Sequence, residues 1–164
     1  MVHAIVLAAG ASSRYGDSPP KQQELLPRVL AAVRASSVDG VLVVTGAHAI
    51  ETDARTVVCP DWEQGPGASL RCGLAAMSDD TEAAVVVLAD GPDLDPRALD
   101  RVIAAWQYDA GTVYACTYGG ARLHPVLLAR AVWPLVPDEG ARLLEAHLVE
   151  CDDLIPPGDV DEQP

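Results

Sequence analysis

At 164 residues with 49% apolar residues, the chain is long and hydrophobic enough for one folded domain with a real core, and neither disorder nor a membrane span fits this composition. A net charge of −13 argues against nucleic acid and anionic membranes as partners. The four cysteines are scattered without CxxC pairs, and no basic region precedes the apolar N-terminal run. We therefore expect reduced thiols rather than a disulfide framework, and a cytoplasmic protein.

The first predicted strand, residues 4–8, runs into a turn of small and hydroxyl residues that begins at Gly10. A strand ending in such a turn leaves several backbone N–H groups pointing at one spot, which is typical of a phosphate site. Lys21 follows shortly and is the only lysine in the chain, so a compact ammonium group is expected to strengthen the site. The spacing matches neither GxGxxG nor GxxxxGK[ST], and an ordinary strand-to-helix turn is the alternative interpretation.

The segment LAAGASSRYG at residues 7–16, followed by Lys21, resembles the LAAGxSxRxG…K signature of the MobA-like nucleotidyltransferases. Within that family it is most similar to the molybdenum cofactor cytidylyltransferase branch. The resemblance implies that this segment binds the nucleotide, and that Arg14 and Lys21 are catalytic because they offset charge on the α-phosphate and the leaving pyrophosphate. The nucleotide-binding residues implied here are Leu7, Ala8, Ala9, Gly10, Ser12, Ser13, Arg14 and Lys21.

The next segments alternate between helical and strand patterns. Apolar residues at helical spacing predict a helix over residues 22–35, the run from Gly40 predicts a second buried strand, and residues 55–58 read as a short third strand. The turn-rich stretch CPDWEQGPG precedes a helix predicted over residues 68–77, with Ser69 as its candidate N-cap.

The stretch CPDWEQGPGASLRCGL resembles the family pattern NPxWxxGxxxSLxxGL, which shapes the nucleotide-base pocket and the approach to the acceptor. The resemblance implies that Gly65 and Ser69 contact the nucleotide. Cys59 stands where the family has asparagine, which removes one polar contact. A plain loop followed by a capped helix is the alternative interpretation.

The strongest strand signal is the apolar run at residues 83–89, which ends at Asp90. A carboxylate at the end of a buried strand faces the crevice and can hold Mg²⁺ against phosphate oxygens, although Asp-Gly is also a common turn pair. ADGPDLDP resembles the LxDxP segment of the family, which implies that Asp90 binds the metal. Asp95 and Pro96 form an N-cap signal for a helix that runs to about Trp106.

The last third of the chain predicts a strand over residues 112–117, a turn at Gly119 and Gly120, and helices over residues 125–136 and 139–149. From about residue 152 the chain reads as an acidic, irregular tail. Strands alternating with helices predict an α/β fold: a single three-layer α/β/α domain over residues 1–164 with a Rossmann-like, mostly parallel sheet. The resemblance implies the nucleotide-diphospho-sugar transferase type of this fold. Ligands of such sheets bind at the carboxyl ends of the strands, so the turn at Gly10 and Asp90 are expected to face each other.

Two weaker signals complete the predicted site. RLHPVLL resembles the GHPVLF segment of the family, which implies that His124 contacts the acceptor, although a lone histidine is more often structural. Asp159 and Asp161 resemble the start of the segment that supplies the second metal ligand. By themselves they read as a solvated acidic terminus, and either could be the ligand.

These features predict a nucleotidyltransferase that moves a nucleotidyl group, CMP from CTP being favoured, to a phosphorylated small acceptor and releases pyrophosphate. The resemblance implies molybdopterin as acceptor, Mg²⁺ as cofactor and a molybdoenzyme as protein partner. A shortened acceptor region, a clipped tail and the departures from the family at Cys59 and Leu123 favour the alternative of a nucleotide-binding scaffold with impaired catalysis. A nucleotidyltransferase for another phosphorylated acceptor is the third possibility.

Overall fold

The computed structural model describes residues 1–10 and 21–158, and of Lys21 only the backbone. The described residues form a seven-stranded sheet in the order β3-β2-β1-β4-β6-β5-β7. Strands β1 to β7 are Val2–Ala8, Gly40–Thr45, Arg55–Val58, Ala83–Leu88, Val113–Tyr118, Ala121–Ala129 and His147–Glu150. Helices α1 to α3 are Lys21–Arg34, Pro66–Ala75 and Pro96–Asp109.

The sheet is mostly parallel, as predicted, and β1 lies near its centre. β1 pairs in parallel with β2 on one side and β4 on the other, so that Ala4 lies opposite Val41 and Val85. The pairs β2–β3 and β5–β7 are also parallel, whereas β6 runs antiparallel to β4 and β5. The carboxyl ends of β1 and β4 therefore lie side by side at one edge of the sheet.

Two apolar cores cover the two faces of the sheet. Alternate residues of β1 point to opposite faces: Ala4 and Val6 pack in the core that includes α1 and α3, whereas Ile5 packs in the core that includes α2. Central strands covered on both faces need apolar residues at every position, which explains the uninterrupted apolar runs of β1 and β4. The result is the three-layer α/β/α arrangement expected from the sequence.

The helix boundaries confirm one cap and correct another. Asp95 is the N-cap of α3, and its side chain accepts a hydrogen bond of 2.9 Å from the backbone N–H of Arg97. Helix α2 begins at Pro66, with Gly65 as its N-cap, so the prediction that Ser69 caps this helix is wrong. Proline is favoured at the first helical position because its missing N–H would have no partner there, and this starts the helix earlier than predicted.

The helices predicted over residues 125–136 and 139–149 are wrong. Residues 125–129 of the first segment belong to β6, which returns antiparallel to β5 through the hairpin at Gly119 and Gly120. Arg130–Leu135 then form a 3₁₀ helix. The second contains a 3₁₀ turn over Ala141–Leu143 and then β7. Short apolar runs suit either a buried strand or a helix, and here pairing with β4 and β5 decides the outcome.

The expectation of four reduced thiols is also corrected. Cys59, directly after β3, and Cys72, in α2, form a disulfide with their Cα atoms 5.8 Å apart. Cys116 and Cys151 are free and buried. Among the described helices, none combines the length and the apolar composition needed to cross a membrane.

Candidate functional site

A cleft of about 370 Å³ opens at the carboxyl edge of β1 and β4. Four parts of the chain form its walls: the end of β1, the start of α1, the end of β4, and the segment that leads into α2. The described residues that line it are Leu7, Ala9, Gly10, Gln22, Trp62, Glu63, Gly65, Pro66, Ser69, Leu88 and Asp90. Ligands of parallel α/β sheets bind at this edge, as the sequence led us to expect.

The end of β1 forms the floor of the cleft. Leu7 and Ala9 face it, whereas the side chain of Ala8 is buried in the core on the α1 and α3 face, so that only its backbone remains for ligand binding. A Cβ atom added at Gly10 would lie 3.5 Å from Nε2 of Gln22. The same Nε2 donates a hydrogen bond of 3.4 Å to the carbonyl oxygen of Gly10, which ties the start of α1 to the turn.

Another wall of the cleft is the segment from Trp62 to Ser69. Trp62 begins a 3₁₀ turn and packs over Gly46, where an added Cβ would lie 2.7 Å from the Cβ of Trp62. Gly65 has φ of +129°, a conformation that favours glycine, and turns the chain into α2. Pro66 and Ser69 therefore place the N-terminal turn of a ten-residue helix at the cleft, where its dipole favours an anionic ligand.

Helix α2 is held in place by the segment at residues 136–138. The backbone N–H of Gly67 donates a 2.8 Å hydrogen bond to the carbonyl oxygen of Asp138. Arg71 donates to the carbonyl oxygen of Val136 at 2.8 Å and forms an ion pair with the Asp138 carboxylate. These contacts fix the direction in which the N-terminus of α2 points.

Asp90 stands at the end of β4, and three parts of the chain meet at the turn beside it. A Cβ added at Gly91 would lie 2.7 Å from Nε2 of His124 and 3.2 Å from the carbonyl oxygen of Gly158. The backbone N–H of Asp93 also donates to the carbonyl oxygen of Pro157 at 2.9 Å. The last described residues of the tail thus pack against the turn that carries Asp90.

Tyr118 holds the backbone of His124 in place, because its hydroxyl donates a 3.1 Å hydrogen bond to the backbone carbonyl of His124. Burial raises the pKa of the Tyr118 phenol above its ordinary value, which keeps this donor protonated. Because β6 is antiparallel to β4, the beginning of β6 lies at the edge where β4 ends. This reversal explains why His124 lies next to Gly91.

The structure brings together six of the predicted site residues: Leu7, Ala9, Gly10, Gly65, Ser69 and Asp90. It places His124 beside them. Several predicted residues lie outside the described part of the chain: Ser12, Ser13, Arg14, Asp159, Asp161 and the side chain of Lys21. Their roles stay predictions.

A divalent cation suits the chemistry of this cleft. Asp90 offers a carboxylate, and Mg²⁺ is usually held by one or two carboxylates together with substrate phosphates rather than by a complete protein cage. Within residues 1–10 and 21–158, no group of three or more histidine, cysteine or acidic residues has the geometry of a metal site. Asp90 is the lining residue that would hold such a cation together with phosphate oxygens of a ligand.

Sequence reasoning did not single out five residues of the cleft: Gln22, Trp62, Glu63, Pro66 and Leu88. For Trp62 a signal existed, because tryptophan belongs to the pattern that the segment resembles. Gln22 and Glu63 carry no such signal, since a polar residue near a turn is ordinary. Only the packing of α1 and of the 3₁₀ turn against the strand ends brings them to the cleft.

Comparison with known proteins agrees with this geometry. The family model described as MobA-like NTP transferase domain matches residues 4–148. Bifunctional GlmU proteins from Micrococcus luteus and Sorangium cellulosum are 32% and 29% identical over 133 and 121 residues, which is 69% and 62% of this chain. The chain spans about a quarter of the length of these curated relatives, 27% and 25% respectively.

Solved structures share the fold. Rv0371c from Mycobacterium tuberculosis is 26% identical with a TM-score of 0.79, and the match covers 98% of this chain and 93% of that one. A complex of Rv0371c with manganese matches at 24% identity and a TM-score of 0.73 over 94% and 90% of the chains. A CMP:2-keto-3-deoxy-manno-octonic acid synthetase complexed with CTP is 12% identical with a TM-score of 0.73, covering 98% and 93%, and shows the fold alone.

Proposed function

This chain belongs to the MobA-like NTP transferase domain family, and we propose that it transfers a nucleotidyl group from an NTP to a phosphorylated small acceptor and releases pyrophosphate. We favour CTP as the donor and molybdopterin as the acceptor. The observation that carries the proposal is the cleft that is lined together by Gly10 after β1, the N-terminal turn of α2 and Asp90 after β4.

The reaction requires little covalent chemistry from the protein. An oxygen of the acceptor phosphate attacks the α-phosphorus of the NTP, a new P–O bond forms, and the bond to the β-phosphate oxygen breaks. Pyrophosphate leaves with the electron pair of that bond. Because the attacking phosphate is already ionised near neutral pH, positioning and charge neutralisation supply the rate.

Different described residues would contact the phosphates and the rest of the nucleotide. The backbone at Gly10 and the N-terminus of α2 offer positive dipole ends to the phosphates. Trp62 offers an aromatic face and Glu63 a hydrogen-bond acceptor to the rest of the nucleotide. Arg14 and Lys21 are proposed to balance charge on the α-phosphate and the pyrophosphate, which are the roles predicted from the sequence.

Asp90 is proposed to hold the divalent cation, joined by Asp159 or Asp161. The contacts of Pro157 and Gly158 with the turn at residues 91–93 support this assignment, because Gly158 directly precedes Asp159 in the sequence. When bound, the cation supplies charge neutralisation at the phosphate oxygens. The structure of Rv0371c in complex with manganese, which matches this chain, contains a divalent ion.

The proposed nucleotide base and the proposed acceptor are supported by different observations. CTP is favoured by the resemblance to the cytidylyltransferase branch, and a protein of the same fold is complexed with CTP. His124 beside Gly91 is proposed to contact the acceptor. Molybdopterin as the acceptor, and a molybdoenzyme as the recipient of the product, rest on the resemblance alone.

The test combines binding and turnover. Thermal shift and calorimetry with each of the four NTPs, with Mg²⁺ or Mn²⁺, measure binding, because a ligand specific to the native state raises its apparent stability. Pyrophosphate release with molybdopterin and with sugar phosphates measures transfer. We expect Asp90→Asn to lower turnover by roughly a hundredfold or more, since one removed electrostatic group typically costs that much.

Asp93→Asn is the matched control. Asp93 lies three residues further along the same turn, and its carboxylate pairs with Arg28 at 3.0 Å instead of lining the cleft, so turnover should persist. Equal turnover in the wild type and Asp90→Asn would refute the mechanism. NTP binding without pyrophosphate release for any acceptor would instead favour the nucleotide-binding scaffold, and no NTP binding would contradict both.

A further inference from the structure

The Cys59–Cys72 disulfide closes a ring of residues around one wall of the cleft. Its Cα atoms are 5.8 Å apart, within the span of about 4.4–6.8 Å that disulfides usually bridge. Of the eleven described residues that line the cleft, five lie inside the ring: Trp62, Glu63, Gly65, Pro66 and Ser69. The covalent bond therefore joins the two ends of the segment that forms this wall of the cleft.

The two halves of the ring are anchored differently. The second half, in α2, is held by Gly67 and Arg71 against residues 136–138. The first half follows β3, the four-residue strand at the edge of the described sheet, and its start is tied by a 2.7 Å hydrogen bond from the backbone N–H of Cys59 to the carbonyl oxygen of Thr45. The disulfide fastens this first half, which carries Trp62 and Glu63, to the better anchored helix.

The difference in residue exposure favours attack at Cys72. Cys59 is fully buried, whereas Cys72 is partly exposed. A small thiolate attacks Sγ of Cys72, the bond between the two cysteines breaks, and Sγ of Cys59 leaves with the electron pair and takes up a proton. A second small thiolate then releases Cys72, so that the protein gains two thiols while two small thiols become one disulfide.

The reduced form has a partner ready for the new thiol. The carbonyl oxygen of Ala68 lies 3.6 Å from Sγ of Cys59, a suitable distance for a weak S–H donor. A thiol released at Cys59 would therefore have a hydrogen-bond acceptor beside it. Within the segment that resembles the family pattern, Cys59 replaces asparagine and Cys72 occupies a variable position, so the pair is a feature of this chain.

We propose that this disulfide is a redox switch on the cleft: the oxidised form binds NTP more tightly than the reduced form. The proposal rests on the proposed function, because NTP is the ligand whose affinity changes. In the oxidised form the disulfide holds the wall in the arrangement that binds NTP. The reduced form must order residues 60–65 when NTP binds, and the entropy lost in this ordering lowers its affinity.

The test compares the same protein in two oxidation states. Samples are equilibrated with oxidised or reduced dithiothreitol, and alkylation followed by mass spectrometry of the peptide that contains residues 59–72 reports the state of the pair. Calorimetry with each of the four NTPs and Mg²⁺ then gives the affinity. We expect roughly tenfold weaker binding after reduction, the scale at which preorganising one short loop acts.

Two variants separate the switch from general effects. Cys72→Ser should bind NTP as the reduced wild type does, whatever the treatment. Cys116→Ala removes a thiol outside the ring and should keep the full difference between the two states. Equal affinities within twofold in wild-type samples with confirmed oxidation states would overturn the switch, as would failure of oxidised dithiothreitol to join Cys59 and Cys72.

Amide hydrogen exchange distinguishes failure of the switch from failure of the proposed function. Backbone amides of residues 60–65 should exchange faster in the reduced form, independently of any nucleotide. If neither form binds any NTP, the proposed function fails, and with it the role of the disulfide in NTP binding. If NTP binds but exchange and affinity are the same in both forms, only the switch fails.

Discussion

Replacing Gly67 by alanine tests how tightly α2 is fitted against residues 137–138. A Cβ atom at this position would lie 1.6 Å from the carbonyl oxygen of Pro137 and 2.8 Å from the carbonyl carbon of Asp138. Non-bonded atoms need about 3.5 Å, so the two segments must separate by about 2 Å. Both contacts are backbone atoms, which cannot turn aside as a flexible side chain can.

The expected cost follows from what that separation breaks. The 2.8 Å hydrogen bond from Gly67 N–H to Asp138 and the bond from Arg71 to Val136 are each worth about 1 kcal/mol. Overpacking strain adds about 1–3 kcal/mol. Alanine regains at most about 1 kcal/mol of helix propensity. Gly67→Ala should therefore lower the free energy of unfolding by about 3 kcal/mol.

Urea unfolding followed by tryptophan fluorescence measures this change, and calorimetry with NTP and Mg²⁺ measures its effect on the cleft. Gly119→Ala is the control: its φ of +60° is strained for alanine, but no atom lies within 4 Å of the added Cβ. That strain alone costs about 1–2 kcal/mol. If Gly67→Ala is no less stable than Gly119→Ala, or if it binds NTP as the wild type does, the described packing of α2 is refuted.

Three further predictions concern the rest of the molecule. A hydrogen bond from Arg101 holds the pKa of Asp153 at about 2 in the folded protein. In the unfolded chain this pKa is about 3.9, so the unfolded state binds a proton first as the pH falls, and the free energy of unfolding should decrease between about pH 4 and pH 2. In Asp153→Asn the free energy of unfolding should depend less on pH over this range. Asp95→Ala removes the α3 cap and should lower the free energy of unfolding in urea by about 1 kcal/mol, whereas Asp95→Asn should keep most of the stability that the cap provides. Burial raises the pKa of the Cys116 thiol, so iodoacetamide at pH 8 should leave Cys116 unmodified in the native protein and alkylate it in urea.

Much of the fold is readable from the sequence where local and long-range preferences agree. β1 and β4 are uninterrupted apolar runs bounded by turn residues, and α3 starts at an Asp-Pro pair that both caps and initiates a helix. Each of these signals is local, because it spans only a few neighbouring residues of the sequence. The end of β4 indicated that Asp90 lies at the carboxyl edge of the sheet, and there it lines the cleft. Its role as a metal ligand stays a prediction.

The rest depends on contacts between distant parts of the chain. Residues 125–128 suit a strand or a helix, and only pairing with β4, some forty residues earlier, makes them part of β6. The disulfide joins cysteines 13 positions apart, and no spacing rule reveals that their Cα atoms come within 5.8 Å. Glu63 reaches the cleft because Gly46 leaves room for Trp62 beside it.

The hairpin between β5 and β6 gives this scaffold a place to vary. Gly119 and Gly120 both have positive φ, open space surrounds the position of each missing Cβ, and Asp152 fixes the tip through a 2.8 Å bond to the N–H of Gly119. His124 lies on β6, the strand that follows this hairpin. Residues inserted at this tip would extend the rim above the proposed acceptor position while the seven strands stay paired, which makes the hairpin a natural point for engineering a choice among acceptors.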